Sequence, residues 1–85
     1  MPTAESDLYR QQQYVKVLRE VAAGDTLGPP QSHDAGHDIR KFELSGIPFP
    51  VALIDQMIAE KLLEADDERG VAVAAKGQRL YDRLR

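Results

Sequence analysis

The chain has 85 residues, 42% of them hydrophobic and 29% charged, a balance that fits a folded domain and excludes a chain disordered throughout. With no cysteine, it has no disulfide framework, no thiolate metal site and no cysteine nucleophile. No run approaches the ~18 apolar residues of a membrane span and the opening MPTAESDLYR lacks a charged-then-apolar leader pattern, so the expected location is cytoplasmic.

The net charge of −3 hides a division by position. Residues 1–50 sum to −2, residues 51–68 set Lys61 against six carboxylates for −5, and residues 69–85 set five cations against Asp82 for +4. At this length a single core hides only ~60–65% of the unfolded surface, so a partner surface is a natural source of added stability.

In chain order, Tyr14, Val17, Leu18 and Val21 recur at helical spacing, with Leu8 and Val15 beside them, and predict a helix over residues 6–23. Glu5 and Asp7 suit the positive end of its dipole, Ser6 can accept from its first free amides, and Gly24 can end it in the left-handed conformation. Residues 24–38, GDTLGPPQSHDAGHD, read as a mobile loop, because Pro29-Pro30 cannot continue a helix. Residues 39–47 read as a half-buried strand, Phe42 and Leu44 on one face and Lys41 and Glu43 on the other.

Pro50 fits a first helical turn, where its missing amide hydrogen is not needed, and opens a helix over residues 50–63. Val51, Ile54, Met57, Ile58 and Leu62 face inward there, and Asp55, Gln56, Ala59 and Glu60 face out. Short strands at 63–65 and 71–74 flank the turn DDERG, whose Gly70 can supply a positive φ. A last helix begins near Lys76-Gly77, with Leu80, Tyr81 and Leu84 inward and Lys76, Arg79 and Arg83 along another face. The expected fold is one α+β domain over residues 1–85, with three helices and a small antiparallel sheet or hairpin wing.

The run KLLEADDERGVAVAAKGQRLYDRLR resembles the wing and closing helix of winged-helix proteins through Leu62, Leu63, Asp66, Asp67, Gly70, Val71, Val73, Gly77, Leu80 and Leu84. The resemblance covers about residues 51–85. It departs from the family in two places: Ala74 stands where a threonine usually caps the last helix, and residues 24–47 offer a loop and a strand where a helix-turn-helix needs another helix. The order of elements, with its basic closing helix, also resembles the small YjhX-type bacterial proteins, which are proposed as toxins. The winged-helix resemblance implies a domain that binds DNA or serves as an interaction or dimerisation module.

The charges bear on that choice. Base edges are usually met by the outward face of the second helix, where Asp55 and Glu60 repel phosphate and only Gln56 and Lys61 are favourable. A basic patch of Arg69, Lys76, Arg79, Arg83 and Arg85 is the candidate nucleic-acid contact, its other reading being a solvated face with cations near a helix C-terminus. Asp55, Gln56 and Glu60 form a candidate protein-interaction surface, and the −5 and +4 segments suit pairing between two copies. Such a dimer needs an apolar centre, for which Tyr9, Tyr14 and Phe49 are candidates. The leading expectation is a small bacterial interaction or regulatory module acting through protein contacts or dimerisation. The alternative is a DNA-binding transcriptional regulator that contacts phosphates through the wing and the basic C-terminal helix.

Catalysis has no positive signal. His33 and His37 stand four apart, but Gly36 and the nearby prolines oppose a helix that would align them, and no third ligand is fixed. Ser32 beside His33 lacks the rest of a nucleophilic triad, and GVAVAAKG lacks the spacing of a phosphate loop. No metal, cofactor or small-molecule ligand is therefore expected.

Overall fold

The computed structural model describes residues 4–33 and 37–84. Among them the order is α1 (Ala4–Ala22), β1 (Gln31–His33), β2 (His37–Lys41), β3 (Pro48–Pro50), α2 (Val51–Ala59), β4 (Leu63–Asp66), β5 (Gly70–Val73) and α3 (Ala75–Leu84). The fold is α+β, with three helices and two small antiparallel sheets, β1-β2-β3 and β4-β5, among the described residues. α1 packs on α3 and β5, and α2 packs on β2, β3 and β4.

The helical spacing of α1 places Tyr14, Val17, Leu18 and Val21 in the core. They meet Ile54 and Met57 from α2, Leu62 and Leu63 from the junction into β4, and Val71 from β5. Burying each aliphatic side chain of this set is worth about 1.5–3 kcal/mol. Phe42 and Phe49 close the other side of the core edge to face, ring centroids 5.7 Å apart. Val51 and Ile58, expected inward, are half-buried, and Leu62 is buried from beyond the end of α2.

Both α1 and α2 end with the same pair of backbone bonds. After α1, Gly24 N–H donates to the Val21 carbonyl and Asp25 N–H to that of Glu20; after α2, Lys61 donates to Ile58 and Leu62 to Met57. The motif needs a left-handed residue, which is Gly24 at φ 90° in one case and Lys61 at φ 68° in the other. A side chain in that region costs roughly 1–2 kcal/mol, partly offset by the greater freedom of glycine in the unfolded chain. Lys61 is exposed. Lys61→Gly is therefore expected to stabilise the fold by up to about 1 kcal/mol, the upper value corresponding to a Tm rise of roughly 4–8 °C. A thermal melt with Tm unchanged or lower would contradict the left-handed cap.

Four expectations change. Residues 24–38, read as loop, contain β1 and the start of β2, and Leu27 is buried and bridges Phe42. One apolar side chain among Gly and Pro gives no periodic signal, yet it is enough to anchor the segment. The strand expected over 39–47 stops at Lys41, because residues 43–45 turn. Leu44 therefore does not share the buried face of Phe42. Finally, Pro50 precedes α2 as its N-cap and ends β3, with φ −60° and ψ 140°, while α2 itself stops at Ala59. β1 and β3 flank β2, and β3 consists of Pro48, Phe49 and Pro50 facing Lys41, Arg40 and Ile39. α1 begins at Ala4, ahead of the expected start, and the side chains of Glu5, Ser6 and Asp7 lie outside the described residues.

Candidate functional site

The basic face of α3 is set in place by Gly77. A Cβ built there would overlap the Leu62 carbonyl oxygen and lie 3.2 Å from Leu18 Cδ2, so only glycine lets α3 come this close. The helix is tied at its start by Ala74 N–H donating to the Leu62 carbonyl at 3.1 Å. Lys76, Arg79, Leu80 and Arg83 then line one wall of a cleft of about 690 Å³, with Arg10, Gln11 and Tyr14 of α1 opposite and Leu62 and Glu60 completing it. Lys76, Arg79 and Arg83 were legible as a helix face; Arg10 joins them only through tertiary packing.

Glu60 is the one carboxylate in that lining among the described residues. Its Oε2 accepts from Gln56 Nε2 and from the Tyr14 hydroxyl, both at 2.7 Å. Those two bonds, first Gln56 and then Tyr14, outweigh desolvation and hold its pKa below the ordinary carboxylate value, helped by the charges of Arg10 and Lys76. Tyr14 moves the other way: burial, then its bond to the Glu60 anion, pushes its pKa up to about 12. Glu60 is thus an anion already engaged by its own chain. Four cations and one carboxylate leave the cleft at +3.

In the surface expected from Asp55, Gln56 and Glu60, Asp55 and Gln56 are exposed, and Glu60, half-buried at the cleft, accepts from Gln56. Arg69 is separated from the α3 cations. It lies in the β4–β5 turn, its carbonyl accepting from Leu27 N–H at 2.9 Å and its guanidinium beside Gly24. Arg85 lies outside the described residues. The turn itself is organised by Asp66, whose Oδ1 accepts from the amides of Glu68 and Arg69 at 2.8 Å each. Those bonds, Arg69 first, lower its pKa. Asp67 and Glu68 stand exposed on this docked turn.

Asp25 gave no signal in the sequence beyond following a helix-ending glycine. It is 2% exposed. Its Oδ1 accepts from the amides of Thr26 and Leu44 at 2.8 Å, and its Oδ2 from that of Ser45 at 3.1 Å. Burial alone would raise its pKa, but the amides of Leu44, Ser45 and Thr26 prevail and lower it. The turn it holds is closed further by Gly46 N–H to the Phe42 carbonyl and Phe42 N–H to that of Ile47. At its tip Leu44 is 82% exposed.

Of the apolar residues considered for an interface, Tyr14 and Phe49 are core residues, and Tyr9 is 65% exposed. Near it, Leu8, Val15 and Leu84 line a second groove of about 380 Å³ together with Lys16 and Arg19. Gln11 borders both this groove and the cationic cleft. β1 and β2 place His33 opposite His37 in backbone register, residues 34–36 between them lie outside the described residues, and no group of three metal-binding side chains occurs among the described residues. None of the described helices is long and apolar enough to cross a membrane.

No protein-family model, curated protein or solved structure matches the chain.

Proposed function

We propose that the chain is a small winged-helix-like interaction module whose cleft between α1 and α3 takes an acidic partner surface. The observation that carries this reading is the convergence of Arg10, Lys76, Arg79 and Arg83 on a cleft floored by the buried Tyr14 and Leu62 and the half-buried Leu80. Mixed cationic and apolar lining suits a protein surface, where charge supplies steering and apolar burial supplies residence. Duplex DNA fits less well. Asp55 on α2 and Asp67 and Glu68 on the β4–β5 turn are exposed where a winged helix brings its reading helix and wing to phosphate. The turn is also bonded to Leu27 instead of standing free as a wing.

DNA binding remains the second reading, because Lys76, Arg79 and Arg83 do share a face with Arg10. The two separate in one titration. Fluorescence anisotropy with labelled poly-glutamate and with labelled random duplex DNA, at ~50 and ~200 mM salt, is expected to show poly-glutamate binding that weakens with salt and little response to DNA. Arg79→Glu with Arg83→Glu is expected to abolish the poly-glutamate signal. A steeply salt-dependent DNA signal, without poly-glutamate binding, would overturn the protein-partner reading in favour of DNA.

A further inference from the structure

An acidic surface with an apolar knob, of the kind the cleft is suited to take, is present on the molecule itself. Segment 24–28 gathers two turns: the Asp25 carboxylate holds the amides of Leu44 and Ser45, and Leu27 donates to the carbonyl of Arg69. Glu43 and Leu44 to one side of that segment, and Asp67 and Glu68 to the other, are therefore exposed around the end of α1. The cleft belongs instead to the first part of α1, through Arg10 and Tyr14, and to α3, while the neighbouring groove runs from Leu8 and Leu84 along α1 to Arg19 in its last turn. Arg10 and Ala22, the last residue of α1, are twelve residues apart, about 18 Å at 1.5 Å per helical residue, in a molecule whose longest extent is 31 Å. The chain thus bears an apolar knob with Glu43, Asp67 and Glu68 around one end of α1, where Arg40 and Arg69 also lie, and a cationic cleft toward the other end with an apolar groove beside it.

Resting on the cleft as a seat for an acidic surface, we infer that its partner is a second copy of this chain. Leu44 of one copy seats in the groove of Leu8, Val15 and Leu84 of the other, while Asp67 and Glu68 face Arg10, Arg79 and Arg83. Two features favour self-recognition. The knob is preorganised, since its turn is fixed by Asp25 and by its own backbone bonds, so little ordering is required on contact. The charges are complementary on both counts, as the groove is rimmed by Lys16 and Arg19 where Leu44 carries Glu43 at its side. Exposed ion pairs contribute little each, so the association is weak, with a Kd on the order of 100 μM. A closed pair and an open head-to-tail chain both use this contact.

Sedimentation velocity across a concentration series tests it, with circular dichroism confirming that each variant is folded. The unchanged chain is expected to gain mass with concentration. Leu44→Ser, which alters an exposed side chain, is expected to weaken association roughly tenfold or more. A charge-swapped pair gives the sharper result. One variant carries Arg79→Glu and Arg83→Glu, the other Asp67→Lys and Glu68→Lys. Each is expected to stay monomeric alone, and the equimolar mixture to associate. An unchanged chain that remains monomeric near ~1 mM, ten times the expected Kd, overturns the self-recognition, as does a mixture that fails to associate. If poly-glutamate still binds in that case, the cleft stands as a seat for a different acidic protein; if it does not, both readings fall.

Discussion

Gly77→Ala is expected to destabilise the protein by more than about 3 kcal/mol, against the sign that helix propensity alone would give. In a free helix the same change gains about 1 kcal/mol, because glycine loses more backbone freedom on folding. Here the new methyl group would occupy the space of the Leu62 carbonyl oxygen and come within 2.9 Å of the Leu62 carbonyl carbon. Those are backbone atoms at a junction already fixed by the bonds from Ala74 to Leu62 and from Leu62 to Met57, so they cannot rotate away as a side-chain tip would. Relief requires α3 to move off the Leu62 backbone, which opens the core beneath it. For a domain of this size total stability is only about 4–13 kcal/mol, so a loss of this scale lowers Tm by roughly 12–24 °C or leaves the chain unfolded at room temperature. Urea and thermal unfolding monitored by circular dichroism measure it directly. A variant as stable as the parent would show that α3 does not pack against Leu62 in this way.

Asp25→Asn is expected to cost about 2–3 kcal/mol at neutral pH. The carboxylate accepts three backbone amides with two oxygens, whereas an amide side chain would turn an N–H toward at least one of those donors and leave it unmatched in a buried place. The pH dependence follows from the lowered pKa of Asp25. A carboxyl whose folded pKa is depressed contributes stability that is fully present above its unfolded pKa and is lost as pH falls through the folded one. The gap between parent and variant should therefore be large near neutrality and shrink in acid, once the parent carboxyl is protonated. Denaturant titrations of both chains at about pH 7 and about pH 3 compare the two conditions; a gap of equal size at both would mean that charge on Asp25 is not what holds the turn. At the opposite extreme, Tyr14 contributes stability present below its ordinary value of 10.0 and lost as pH climbs toward about 12.

What the sequence revealed depended on the range of the interaction concerned. The buried face of α1 was readable because Tyr14, Val17, Leu18 and Val21 repeat within one helix, and the β4–β5 pair because an acidic turn ending in Gly70 separates two short apolar runs. β1 and β3 were not, since three-residue strands are too short to display alternation and one of them is two-thirds proline. Leu44 misled for a specific reason. Its spacing from Phe42 suits a strand, but a carboxylate nineteen positions away takes its amide hydrogen and bends the chain. The candidate site divides in the same way. Lys76, Arg79 and Arg83 share a face by helix geometry, whereas Arg10 reaches them only after α1 and α3 pack, and Arg69, their neighbour in the sequence, is carried to the other end by its bond with Leu27.

The composition of β3 bears on what this molecule does when crowded. A sheet edge invites another strand by presenting a row of free N–H and C=O groups, the first step towards cross-β aggregates. Along Pro48–Pro50 two of three residues have no amide hydrogen to offer, and at the opposite edge β1 is only three residues long and enters directly from Pro29-Pro30. Zipper-like growth through the three-stranded sheet is thereby starved of donors. At that sheet, copies that meet at high concentration are left with side-chain contacts, which form and release without rebuilding the backbone.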